Sequence, residues 1–157
     1  MTLEKPLAQP FSKDKINRYK IVNENRKDFS KICVINNSEI IRIGINSVLK
    51  EEYRNDIILD VSKKEFCQVW AQSEFDIIIT DIEFEGKNDV SFISQIKKTH
   101  PKSTIIVYTN FKNQLYRKSS LNNGASFFIF FDKNLNLLEY IVRRVMNNIS
   151  YQTEVSY

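Results

Sequence analysis

The sequence predicts an α/β fold: a parallel sheet with helices on both of its faces. Three observations lead there. Short apolar runs alternate along the chain with longer stretches whose apolar residues recur every three or four positions. In the run Phe75-Asp76-Ile77-Ile78-Ile79-Thr80-Asp81 the isoleucines follow one another without alternation and a carboxylate closes the run, as expected of a strand buried on both faces. Five such β-α units follow one another in one compact stretch, and that order favours parallel strands joined by crossover helices.

The elements can be taken in order. Residues 1–12 hold Pro6 and Pro10 and little else that marks an element, so they read as disordered. Residues 12–29 carry a thin helical pattern behind a Ser12 cap, with Ile16, Tyr19, Val22 or Asn23, and Arg26 on one side. Residues 31–35 form the first strand, ending at Asn36-Asn37. Ser38 caps the next helix, which carries Ile40, Ile41, Ile45, Val48 and Leu49. Residues 56–61 form the second strand, and Ser62 caps a helix through Phe66, Val69 and Trp70. The third strand is 75–80, followed by a loop over 82–88 containing Gly86. Val90, Phe92, Ile93 and Ile96 mark a helix that ends before Pro101. The fourth strand is 103–108, ending at Thr109. A helix over 113–123 then stops at Gly124. The fifth strand is 127–131, ending at Asp132-Lys133. Leu135, Leu138, Ile141, Val142, Val145 and Met146 mark the last helix. The expected boundaries are a basic N-terminal extension over 1–30, one domain over 31–149 and a tail over 150–157.

Composition narrows the class. The chain has 157 residues, 42% hydrophobic and 27% charged, which suits a single globular domain. No apolar run approaches the roughly 18 residues of a membrane span. Met1 to Lys5 lack an apolar signal core, so a cytoplasmic location and no membrane contact are expected. Cys33 and Cys67 both read as small buried hydrophobes, and His100 is the only histidine, so no metal-ligand spacing exists. The net charge of +4 sits wholly in residues 1–31; the remainder is neutral. Such an arm suits phosphate or an acidic partner, but a solvated tail is the simpler reading.

The strand ends carry the chemistry. In a parallel sheet all C-terminal ends lie along one edge, where ligands collect. A lone aspartate there commonly does no more than cap a turn. Here Asn36 and Asn37, Asp81, Thr109 and Lys133 converge from separate parts of the chain. A carboxylate, a hydroxyl and an ammonium suit phosphoryl transfer. Asp81 is the expected nucleophile, Thr109 a donor to a phosphoryl oxygen, and Lys133 the offsetting cation.

Over residues 31–148 the chain resembles the receiver domain of bacterial response regulators. Asn36-Asn37-Ser38-Glu39-Ile40-Ile41-Arg42 resembles the family's acidic-pair segment. Asp81-Ile82-Glu83-Phe84-Glu85-Gly86 is similar to its phosphoacceptor loop, with Glu85 where proline is usual. Val107-Tyr108-Thr109-Asn110 resembles the switch-hydroxyl segment. Gly124-Ala125 with Phe130-Phe131-Asp132-Lys133 resembles the ending of small stand-alone receivers. The resemblance implies a doubly wound, flavodoxin-like sheet of order 2-1-3-4-5. It implies phosphorylation of Asp81 by a histidine kinase or phosphotransfer protein, switching through Thr109 and Phe130, and output through a downstream protein partner or a homodimer. It makes the protein a signalling module and not an enzyme.

Two departures qualify this. The acidic pair is Asn36-Asn37, so the implied Mg²⁺ site of Asp81 and Asn37, with Glu83 as substitute carboxylate, should bind weakly. The stretch from Gly124 to Lys133 is two residues longer than usual, which leaves either Lys133 or Phe131 at the lysine's place. The alternative is therefore a degenerate receiver that binds partners without phosphorylation. Nucleic-acid binding is disfavoured because no helix-turn-helix segment follows. Flavin binding is disfavoured because no hydroxyl-rich phosphate loop follows the first strand.

Overall fold

A computed structural model describes residues 31–52, 57–131 and 135–155. The order in these segments is β1 (Lys31–Ile35), α1 (Glu39–Glu52), β2 (Ile57–Val61), then α2, one α-turn (Lys63–Glu65) that widens into a π-turn (Phe66–Trp70). It continues with β3 (Ile77–Thr80), a short hairpin pairing Glu83–Phe84 with Lys87–Asn88, and α3 (Ser91–Thr99). The chain then forms β4 (Thr104–Thr109), α4 (Gln114–Asn122), β5 (Phe127–Phe130) and α5 (Asn136–Val155). The five sheet strands are parallel and run β2-β1-β3-β4-β5, the order the resemblance implied.

Residue periodicity explains why the central strands lack alternation. On β1, Ile32 and Val34 face one layer while Cys33 and Ile35 face the other. One layer packs Ile32, Val34, Ile77, Ile79 and Ile106 against Ile45 and Leu49 of α1 and Val142 and Met146 of α5. The opposite layer packs Cys33, Ile78, Ile105 and Val107 against Phe66 of α2 and Phe92, Ile93 and Ile96 of α3. Both faces of the sheet are dry, so the middle positions of β1, β3 and β4 are apolar.

Local signals set the element ends. Ser62 and Glu65 form a reciprocal capping box at α2. Asn113 caps α4 through Leu115 N–H at 2.9 Å. At the end of α4, Ala125 N–H reaches the Ser120 carbonyl and Gly124 N–H the Leu121 carbonyl. This Schellman closure needs a left-handed residue, and Gly124 supplies it at φ +119°. His100 is buried between Phe66 and Phe75, with its ring nitrogens engaged by the Ser73 carbonyl and the Thr99 hydroxyl. It is a core residue.

The structure corrects the sequence reading in three places. The 82–88 loop contains the hairpin, whose turn places both Glu85 and Gly86 at positive φ. Cys67 is exposed on the π-turn, because the wider turn rotates it off the core face; Cys33 is buried as expected. β3 pairs from Ile77 and not from Phe75, because the Asp76 carboxylate takes the Lys31 N–H at 2.8 Å where a ladder rung would form. α5 is described as far as Val155. The extension over 1–30, with its helical pattern, and Lys133 lie outside the described residues.

Candidate functional site

Asp81 and Asn36 each stand one residue past the end of a central strand. Asp81 N–H still donates to the Ile35 carbonyl at 3.1 Å, and Asn36 N–H to the Val61 carbonyl at 3.0 Å. The two side chains are therefore held by the sheet itself, side by side at its C-terminal edge. Asp81 is 8% exposed and Asn36 4%.

The carboxylate of Asp81 is unequally bound. Its Oδ1 accepts the Ile82 N–H at 2.7 Å and the Glu83 N–H at 3.1 Å. Among the described residues its Oδ2 accepts only a long contact, 3.3 Å, from the Asn36 amide nitrogen. Two strong backbone donors fix Oδ1, and Oδ2 is the freer oxygen. The Asn36 amide is oriented by its other end, since its Oδ1 takes the Ser38 N–H at 2.8 Å. Arg42 holds the same loop from outside, donating to the Asn36 carbonyl at 2.6 Å.

The other expected residues divide. Thr109 is fully buried at the end of β4, two residues past the rung that pairs Thr80 with Val107. Its hydroxyl oxygen accepts the Phe111 N–H at 3.3 Å. Thr109 and Phe130 are register partners on adjacent strands, and Phe130 packs edge-on against Phe128 at 5.3 Å. Phe131 lies on the opposite face and packs against Tyr108, with ring centroids 4.5 Å apart and planes tilted by 40°. Asn37 is exposed and its amide oxygen accepts the Lys63 N–H at 3.1 Å, so it is engaged on α2 and not on Asp81. Glu83 touches Asp81 through its backbone N–H, while its side chain is exposed on the hairpin. Lys133, the expected offsetting cation, lies outside the described residues.

These groups fit a divalent cation poorly. Mg²⁺ takes an octahedral shell of oxygens, preferably charged. Asn36 turns its NH₂ toward Asp81, and the amide oxygens of Asn36 and Asn37 are both occupied by backbone N–H groups. Among the described residues no cluster of three or more His, Cys, Asp or Glu could hold a metal. Seating an ion on Asp81 Oδ2 requires the Asn36 amide to turn over and abandon Ser38.

A second cluster borders the site and was not visible in the sequence reading. Lys63 Nζ pairs with Asp89 Oδ2 at 2.8 Å and lies 4.9 Å and 4.8 Å from the ring centroids of Phe84 and Phe92. Asp89 also accepts from the Ser91 hydroxyl. The Lys63 hydrogen bond, then that of Ser91, hold the Asp89 carboxyl below its ordinary 3.8. A carboxyl lowered by folding stabilises the native state above its unfolded pKa, and that stability is lost as pH falls through the folded value. Asp89→Asn is therefore expected to cost about 0.5–1 kcal/mol at neutral pH. The gap between the two proteins should close as acid takes the solution below 3.8. Urea unfolding across that window checks it; a gap independent of pH would refute the assignment.

Comparison with known proteins fixes the family. The model of the response regulator receiver domain matches residues 32–143. The chain belongs to the response regulator receiver family. It is 25% identical over 129 residues to the response regulator protein VraR of Staphylococcus saprophyticus, covering 80% of this chain and 61% of that protein. It is 26% identical over 117 residues to the transcriptional regulatory protein LnrK of Bacillus subtilis, covering 74% and 52%. The receiver thus spans about half to three fifths of these relatives' length. A crystal structure of a response regulator from Thermotoga maritima matches with a TM-score of 0.66 at 18% identity, covering 76% of this chain and 98% of that one. A Burkholderia pseudomallei response regulator, whose crystal structure holds a phosphorylated aspartic acid, calcium and citrate, matches with a TM-score of 0.63 at 19% identity, covering 81% and 73%. The fold is that of the receivers, and the chain is a receiver domain of two-component signalling. No helix among its described residues is long and apolar enough to cross a membrane.

Proposed function

We propose that Asp81 is the phosphoacceptor of this receiver, that its donor is a histidine kinase or phosphotransfer protein, and that output is a protein–protein contact. The observation that carries the reading is the unequal hold on the Asp81 carboxylate. Oδ1 is anchored by two backbone N–H groups, and Oδ2, which among the described residues takes a single long contact, is oriented by them as the attacking oxygen. In the transfer, Asp81 Oδ2 forms a bond to phosphorus as the P–N bond of the donor phosphohistidine breaks. The electron pair goes to the imidazole nitrogen. Thr109 donates to a phosphoryl oxygen, and Lys133 supplies positive charge. Thr109 and its register partner Phe130 then carry the change to the β4–β5 edge. The protein acts in the cytoplasm as a signal carrier without turnover of its own.

A second reading has its own support. The Asn36 amide already covers Oδ2, and the donor set suits Mg²⁺ poorly. Labelling should then be slow and the resting surface should itself bind the partner. The test is incubation of the full chain with phosphoramidate at millimolar Mg²⁺, followed by intact mass and peptide mapping. One added phosphoryl group on Asp81, absent from Asp81→Asn, is expected. No labelling over hours would transfer the conclusion to the constitutive binding module.

A further inference from the structure

The two N–H groups on Asp81 Oδ1 belong to Ile82 and Glu83, the first residues of the hairpin. Their aim depends on where the hairpin sits. The hairpin has only two rungs, Glu83–Asn88 and Phe84–Lys87, closed at its base by Asp89 N–H on the Ile82 carbonyl. So short a ribbon is not stable alone, and its turn carries Glu85 in the left-handed region at φ 54°. Something outside must hold it.

Phe84, buried against Phe92, gives one hold, and Lys63 touches the hairpin from outside. Lys63 stands at the start of α2, on neither strand of the hairpin. Its ammonium pairs with Asp89 at the hairpin's base and lies against the rings of Phe84, on the hairpin, and Phe92, on α3. Those rings meet edge to face at 5.3 Å, so one cation caps a preformed aromatic corner. The backbone N–H of the same residue binds the Asn37 side chain, next to the Asn36 that touches Asp81 Oδ2. One residue is thus tied to the loops on both sides of the carboxylate.

We infer that Lys63 is a positioning residue for Asp81: its ammonium clamps the hairpin so that the Ile82 and Glu83 N–H groups stay aimed at the carboxylate. The effect on reactivity rests on the reading of Asp81 as phosphoacceptor; the effect on the hydrogen bonds does not. Three substitutions in the full chain test it. Lys63→Met keeps the stem and removes the charge, Lys63→Arg keeps a cation, and Asp89→Asn removes the partner. Amide exchange by NMR is read at Ile82 and Glu83, with Val34 and Ile79 as internal controls.

Lys63→Met and Asp89→Asn are expected to speed exchange at Ile82 and Glu83 about fivefold without change at the controls, and Lys63→Arg to restore it. The maximal labelling rate of Asp81 by phosphoramidate should fall by about the same factor with the half-saturating donor concentration unchanged. Unchanged exchange at Ile82 and Glu83 in Lys63→Met overturns the inference. So does an unchanged maximal rate, where the unaltered protein takes label. If the unaltered protein takes none, the phosphoacceptor reading fails by itself, and exchange alone decides whether Lys63 holds the hairpin.

Discussion

Replacing Asn36 with aspartate is expected to raise Mg²⁺ affinity at least about tenfold and to make the stability of the domain depend on the metal. The geometry gives the reason. Asn36 Nδ2 lies 3.3 Å from Asp81 Oδ2. An aspartate there sets two carboxylates almost in contact in a site only a few per cent exposed, and like charges so placed resist ionising together. In a chelator the variant should lose on the order of 1–3 kcal/mol. Divalent cation reverses the sign of the interaction, and about 2–3 kcal/mol should return when Mg²⁺ reaches about a hundred times its dissociation constant. The turn itself should survive, because an aspartate oxygen can accept the Ser38 N–H as the amide oxygen does now. Asn37→Asp alone should change Mg²⁺ affinity by less than about threefold, since that side chain accepts from Lys63 N–H at the start of α2, where a carboxylate is welcome. Urea unfolding with and without Mg²⁺ measures both. Equal Mg²⁺ stabilisation of the Asn36→Asp variant and the unaltered protein would sink this account of the site.

The contrast between the two asparagines marks where the sequence stops being legible. Position in a β-α alternation tells which residues end a strand, so the sequence alone assigns Asp81 and Thr109 to one edge. Strand order followed from the family, and each strand core from its apolar run. Which of two adjacent asparagines turns inward is set by the last rung between β1 and β2, and nothing local encodes it. The hairpin was hidden for a related reason. The best two-residue hairpin signal is Asn-Gly, and here the turn is Glu85-Gly86, where the first residue adopts φ 54° against its preference. The same dihedral explains the missing proline: a ring that fixes φ near −65° cannot occupy this turn. The role of Lys63 is not legible because its partners, Asp89, Phe84 and Phe92, are 21 to 29 residues away and are gathered by the hairpin and α3 together. Cys67 misled because a helical period was assumed through a segment that widens into a π-turn.

The largest loss of stability is expected from Phe92→Ala. Phe92 is 2% exposed and is among the largest fully buried side chains. It stands edge-on to both Phe66, at 6.1 Å, and Phe84, at 5.3 Å, and its ring lies beneath the Lys63 ammonium. Truncation removes the transfer energy of a buried ring and leaves a cavity between α2, α3 and the hairpin. Phe66 and Phe84 are themselves buried and cannot collapse into it freely. Such sites cost about 3–5 kcal/mol, a large share of the 5–15 kcal/mol that holds an ordinary domain together. Phe127, 36% exposed at the start of β5, is the control: Phe127→Ala should stay within about 1 kcal/mol of the unaltered protein. Phe92→Leu separates the two roles of the ring. It keeps most of the volume, so most of the stability should return, but it offers no aromatic face to the Lys63 ammonium. Hairpin amides should therefore still exchange faster in Phe92→Leu, while global unfolding recovers to within about 1.5 kcal/mol. A Phe92→Ala loss below about 1.5 kcal/mol would mean that the aromatic corner does not bear on the core, and the link from α3 through the hairpin to Asp81 would have to be abandoned.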